Sequence, residues 1–201
     1  MRLNKDISKR NRILLGFAIL FMVLVYFVPL WSIEMGGRQF PEPLKIYIWV
    51  QKLSGGTDKD IYTINDFNHY VGMKKIHTAS IPELKYMPFV LAYMIIGGIL
   101  SLFYKKFFMI LLGIFNTIVV GITGLYDFYA WLHDFGTDLD TRAPLYSKDV
   151  DFQPPIIACK EILNVTTCSW PYFGSIFLFI TMGILCFIAY NELKGDTRET
   201  T

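Results

Sequence analysis

The chain has 201 residues, of which 53% are hydrophobic and only 18% charged, with a mean hydropathy of +0.40. Soluble domains carry about 25% charged residues, so this composition excludes an ordinary water-soluble protein and points to a membrane. Nineteen basic against seventeen acidic residues leave a net charge of +2, which argues against nucleic acid as a partner because phosphate recognition needs a basic excess.

A membrane-crossing helix needs about 20 mostly apolar residues, since lipid offers the backbone no hydrogen-bond partner. Four uncharged runs meet that requirement, Ile13 to Trp31, Tyr86 to Tyr104, Phe107 to Tyr126 and Tyr172 to Tyr190. The first resembles a signal peptide in its basic leader, but it is long and lacks a small-residue cleavage site, so it is read as a retained anchor. Ser80 and Glu83 stand at capping-box spacing before the second run, Pro88 predicts a kink, and the third run is expected to continue as an aromatic turn to a cap at Gly136. The expected fold is an all-α transmembrane four-helix bundle forming a single membrane domain over residues 1–201, with two exported loops making a small head.

Orientation follows from Lys and Arg close to the span ends. The leader carries five, the turn at Lys105 and Lys106 two, and the tail after Asn191 two. Placing these segments in the cytoplasm puts both termini inside and exports two loops, residues 32–85 and 132–171. Seven Lys and Arg in the first exported loop run against the rule, which weakens over loops of that length.

Within the first loop, Leu44, Ile46, Ile48 and Val50 alternate with Lys45, Tyr47, Trp49 and Gln51, the period-two pattern of a strand; an interfacial amphipathic helix is the alternative. Ile64, Phe67 and Val71 have helical spacing, with Asn65 as a candidate cap and Gly72 as a candidate stop. In the second loop, IIACKEIL suggests a short helix over residues 156–163. Cys159 and Cys168 share this loop, where oxidation is permitted, and a disulfide between them is left open because its geometry is not legible in sequence. Asn164-Val165-Thr166 is a glycosylation sequon only if the source modifies this face.

Candidate chemistry centres on His69 and Met73, four residues apart and so on one face of a continuous helix, with His77 following and His133 at the outer end of the third span. Imidazole and thioether together suit copper, and sulfur favours Cu(I). Against this, an interfacial His usually makes a hydrogen bond, and a Met on a short helix usually packs. Asp134, Asp138 and Asp140 could hold a hard cation, though a solvated acidic loop is the simpler reading because no EF-hand spacing is present. No nucleophile elbow or phosphate loop is found, so no enzymatic activity is expected. Gly113, Thr117 and Gly121 form a small-residue stripe expected to pack within the bundle, and Asn116 beside it is expected to bond a neighbouring helix.

The segments FPEPLKIYIWVQKLSGG from Phe40, INDFNHYVGMKKI from Ile64 and SIPELKYMP from Ser80, with DFGTDLDTRAPL from Asp134 and QPPII from Gln153, resemble a family of small four-span bacterial membrane proteins. That family is associated with gene clusters for maturation of copper-dependent nitrous oxide reductase. The resemblance covers most of the chain, and its most specific element is NHYVGM, containing His69, Gly72 and Met73. It implies an accessory role in copper delivery or periplasmic maturation. The chain departs from the family pattern at Gly136-Thr137-Asp138, where the family has a Gly-His-Asn stretch, which weakens any ligand role for the second loop. The leading expectation is therefore a membrane-bound accessory factor with copper as cofactor and a protein partner in a membrane complex. The alternative is a small structural subunit with no ligand of its own. A transporter is disfavoured because no broken helix surrounds an ionisable midplane site.

Overall fold

A computed structural model describes residues 3–198, with side chains as far as Lys194. Arg2 of the basic leader, the Arg198 side chain and residues 199–201 lie outside the described part. In chain order the elements are α1 (Lys9–Leu24), β1 (Trp31–Gly37), β2 (Leu44–Ile48), β3 (Leu53–Gly55), α2 (Asp60–Val71), α3 (Glu83–Tyr104), α4 (Phe107–Thr137), β4 (Ala158–Ile162), β5 (Val165–Pro171) and α5 (Phe173–Arg198). Helices α3, α4 and α5, and α1 together with the 3-10 turn that carries it to Phe27, are each long and apolar enough to cross a membrane.

The expectation of an all-α bundle is overturned. Both loops contribute to one five-stranded antiparallel sheet in the order β3-β2-β1-β5-β4, so the chain is a mixed α/β fold. Trp31, Ile33 and Met35 alternate with Ser32 and Glu34, and this short strand begins inside the apolar run read as the first span. That helix stops at Leu24, a 3-10 turn covers Val25–Phe27, and Trp31 opens β1 instead of closing a span. The helix expected over residues 156–163 is also replaced. Ile162 pairs with Val165 across a two-residue turn, and Leu163 takes a left-handed φ of 57°, so the segment doubles back as a hairpin. Residue Cys159 lies directly opposite Cys168 in that hairpin, and the two form a disulfide with their Cα atoms 4.0 Å apart.

Local signals account for the remaining ends. The Ser8 side chain accepts from the Asn11 N–H to cap α1. Helix α2 ends where Gly72 turns left-handed at φ 87°, a conformation that only glycine adopts freely. The capping box at Ser80 does not form at α3, whose N-cap is Pro82 without a side-chain bond. Ser80 instead bonds back to His77 around a short 3-10 turn. Gly136 lies inside α4 and does not cap it; a Cβ there would sit 2.3 Å from the Gln153 Cα, so its lack of a side chain admits the second loop.

In the spanning part, each long helix packs on two neighbours in the cyclic order α1, α3, α4, α5. Away from the head, the Asn11 amide donates to Glu192 at 2.6 Å, the Ser8 N–H to the same oxygen at 2.9 Å, and Lys5 lies 3.8 Å away. Helix α4 has 31 residues and therefore rises about 46 Å, well beyond the roughly 30 Å of hydrocarbon in a bilayer. Its outer turns enter the head, where Leu132 and Phe135 meet Trp31, Ile33, Met35 and Ile46 of the sheet and Ile64 of α2 in one core. Pairing of β1 with β5 runs from Trp31 opposite Pro171 to Gly37 opposite Val165. These two central strands are thus direct continuations of α1 and α5.

Candidate functional site

The inner face of the sheet, carrying Trp31, Ile33, Met35, Ile46, Leu53 and Val165, is covered by α2 and the end of α4. Strand register dictates what the opposite face displays. Nearest the spans, Ser54, Tyr47, Ser32 and Trp170 form one row across β3, β2, β1 and β5; Lys45, Glu34, Cys168 and Cys159 form the next. In the first row the Tyr47 ring packs tilted against Tyr172 at 5.3 Å, and Trp170 is 49% exposed. In the second, Lys45 pairs with Glu34 at 3.0 Å. This ion pair raises the Lys45 pKa, first through its hydrogen bond to Glu34 and then through Coulombic attraction.

The four residues proposed as copper ligands have separate surroundings. Met73 follows Gly72, whose left-handed turn takes the chain off the helix, so the i,i+4 relation with His69 has no helix to act on. Its side chain packs against the head core. His69 is exposed on the last turn of α2, with Tyr70 the ring beside it at 6.0 Å. Exposed His77 precedes the 3-10 turn, where its backbone is held by the Ser80 hydroxyl. His133, on α4, meets Gln153 through Nδ1 at 3.0 Å and stacks on Tyr129. Among the described residues, no group of three or more His, Cys, Asp and Glu side chains is arranged to hold a metal.

The acidic residues of the second loop are also divided. The Lys74 ammonium reaches Asp134 at 2.8 Å and Asp138 at 2.7 Å, occupying the place a cation would take between them. Hydrogen bonds to Asp134 and then Asp138 raise the Lys74 pKa. Asp140 instead accepts from the Arg142 N–H and guanidinium, which lower its pKa in that order. Asp151 is lowered chiefly by the Lys160 ammonium at 2.6 Å. These pairs tie the loop down: Lys74 joins it to the end of α4, while the Asp140 N–H donates to Gly72 O at 2.9 Å and the Leu145 N–H to Tyr70 O at 2.9 Å.

Two structural polar groups escape sequence reading. Asp60, only 5% exposed, accepts from the backbone N–H groups of Lys45 at 2.9 Å and Gly56 at 3.0 Å and from the Thr57 hydroxyl. Burial alone would raise its pKa, but these bonds together outweigh burial and leave it lowered. The signal was the GGTDKD stretch, a glycine turn running into an acidic first helical turn. Thr167 is the second, and its hydroxyl is buried without a partner beside a cavity of about 40 Å³ in the head core. Comparison with known protein families and with curated proteins finds no match to this chain.

Proposed function

We propose that the chain is a membrane-anchored accessory protein or small subunit that works through the uncovered face of its head, held outside a bacterial inner membrane with both termini in the cytoplasm. The observation that carries this reading is the one-sided sheet. Its inner face is packed by two helices, while the other presents Tyr47 and Trp170 beside the Lys45–Glu34 pair. An exposed Trp170 beside a half-buried Tyr47, rimmed by polar groups, favours protein contacts. The orientation is supported by Lys5, Lys9, Arg10, Arg12, Lys105 and Lys106 at the end away from the head. Cys159–Cys168 gives separate support, since disulfides persist in oxidising compartments.

The test is native sizing of the chain solubilised from its own membranes in mild detergent. The wild type should migrate in a larger assembly, and Trp170→Ala should release it while the disulfide stays intact. A chain that migrates alone in both forms refutes the reading. Copper handling would give a different result in the same preparation, namely retained copper that falls on His69→Ala with the assembly unchanged.

A further inference from the structure

The four spanning helices are unequally packed. In their most apolar stretches, 33% of the residues of α1 and of α5 are buried, against 11% for α3 and 6% for α4. The bundle therefore rests on α1 and α5, and α3 and α4 lean on it with most of their surface toward lipid. Between the four lies a cavity of about 210 Å³. It runs from Tyr93 to Ser101 on α3 and from Met109 to Thr117 on α4, eight residue steps or about 12 Å along each helix. Its lining residues Tyr93, Leu100 and Leu112 are also exposed on the outside of the bundle, so the cavity communicates with the bilayer.

Three features of the lining go beyond loose packing. Room is made by glycine: a Cβ on Gly97 would meet nothing within 4 Å, and one on Gly113 would meet only Leu185 at 4.0 Å. Met22, Met94 and Met109 line the same space, and unbranched thioether side chains adapt to a guest more readily than branched ones. The polar groups are also unevenly committed. Hydroxyls of Ser101, Thr117 and Thr181 donate to Gly97 O, Gly113 O and Ala18 O, so their protons are taken. The Asn116 carboxamide, expected to bond a neighbouring helix, has no hydrogen-bond partner among the described residues. It lies nine residues beyond Phe107, about 14 Å along α4, and so near the middle of the hydrocarbon layer.

An amide without a partner at that depth is costly. Phospholipid carbonyls and phosphates stay in the headgroup region and do not reach it. A guest that satisfies the Asn116 NH2 group, the end that a lipid-soluble carbonyl compound can reach, carries a hydrogen-bond acceptor into the hydrocarbon interior and is otherwise apolar. Its size is bounded too, since a cavity of about 150 Å³ accepts one benzene ring, so the volume here suits a substituted ring. We propose that this cavity is a binding site for a neutral, lipid-soluble ring carbonyl compound of the isoprenoid quinone class, which enters from the bilayer between α3 and α4 and accepts a hydrogen bond from the Asn116 amide. Tyr93, halfway along α3 at the rim, offers a second donor. The proposal concerns binding alone and is independent of the role assigned to the head.

Decylubiquinone titrated into the full-length protein in phosphatidylcholine nanodiscs tests it, with retained quinone per chain and the thermal unfolding midpoint as readouts. Wild-type protein should bind saturably and be stabilised. Gly97→Leu, which grows into open space and removes a helix-weakening glycine, should fold and bind at least tenfold more weakly. Asn116→Leu should weaken binding three- to tenfold, the range expected for one lost hydrogen bond. An alkylbenzene of matching chain length, having no carbonyl, should compete poorly. Equal competition by the alkylbenzene, or wild-type affinity in Asn116→Leu, would overturn the proposal in favour of an ordinary acyl chain. Absence of saturable binding to the wild type would overturn it outright. If Gly97→Leu does not fold, Asn116→Leu and the competitor decide the question.

Discussion

Asp60 joins the turn after β3 to the start of α2, and removing its carboxylate should loosen the whole first-loop half of the head. Its Oδ2 accepts from the N–H groups of Lys45 and Gly56, and its other oxygen from the Thr57 hydroxyl. Asp60→Ala strands all three donors in a site only 5% exposed; at about 1.5 kcal/mol for each bond to a charged acceptor, the low end of the range, the loss is roughly 4–5 kcal/mol. Asp60→Asn is a sharper probe. Its carbonyl oxygen can keep both backbone donors, and the Thr57 hydroxyl can rotate to accept from the new amide, so the cost falls to about 1 kcal/mol. The two variants also differ from wild type in acid. Because the folded pKa lies below the ordinary 3.8, the carboxylate contributes stability that is present above that value and lost as pH falls through the folded pKa. Asp60→Asn should lack this acid-side loss. Guanidinium unfolding in detergent micelles, followed by tryptophan near-UV circular dichroism, reads both effects, with Trp49 bonded to Ser54 beside the affected turn. An Asp60→Ala midpoint equivalent to less than about 0.5 kcal/mol of destabilisation would refute the reasoning.

Replacing Cys159 and Cys168 together with Ser should cost about 2–3 kcal/mol, the entropy of opening a loop of this size; reducing agent should shift the wild-type unfolding midpoint by the same amount and leave the double variant unmoved. Single cysteines at Ser54 and at Ser147, introduced into that double variant with Cys186 also replaced by Ala, should react with an impermeant maleimide from the outer side of intact cells, and reaction only after the cells are opened would reverse the assigned orientation.

What could be read in the sequence was whatever depends on neighbours along the chain. Charges bracket each apolar run, so the four spans stood out, and the span ending at Tyr104 matches its helix end. Alternation from Leu44 and 3.6-residue spacing from Ile64 reveal a strand and a helix, but not their ends: β2 stops at Ile48, short of the Leu53 that the alternation suggests, and α2 begins at Asp60, ahead of the candidate cap at Asn65. Long-range pairing was illegible. Strand β1 shares only Trp31 with the first apolar run, and its remaining residues, SIEMGG, carry too short an alternation to announce a strand. The segment IIACKEIL carries residues acceptable to a helix, and it is β1, about 130 residues earlier in the chain, that makes β5 and hence β4 strands. His69 and Met73 do not share a helix face for a local reason: the left-handed turn at Gly72 ends the helix between them.

The continuity of β1 with α1 and of β5 with α5 imposes an order on synthesis. When the ribosome has delivered the first three strands, the edge of β1 that will receive β5 is still bare, and it stays bare through the making of α3 and α4. Its partner emerges only with Val165–Pro171, immediately ahead of the last helix. The Leu30 carbonyl is then taken by the Tyr172 N–H at 2.8 Å and the Ser175 hydroxyl at 2.7 Å, which fastens the two helix–strand units at the membrane surface. Closure of the sheet therefore waits for the segment that leads directly into the final span. A chain truncated before Val165 retains three helices able to cross a membrane and presents an unpaired strand edge to whatever is nearby, a natural substrate for quality-control proteases and chaperones on the head's side of the membrane.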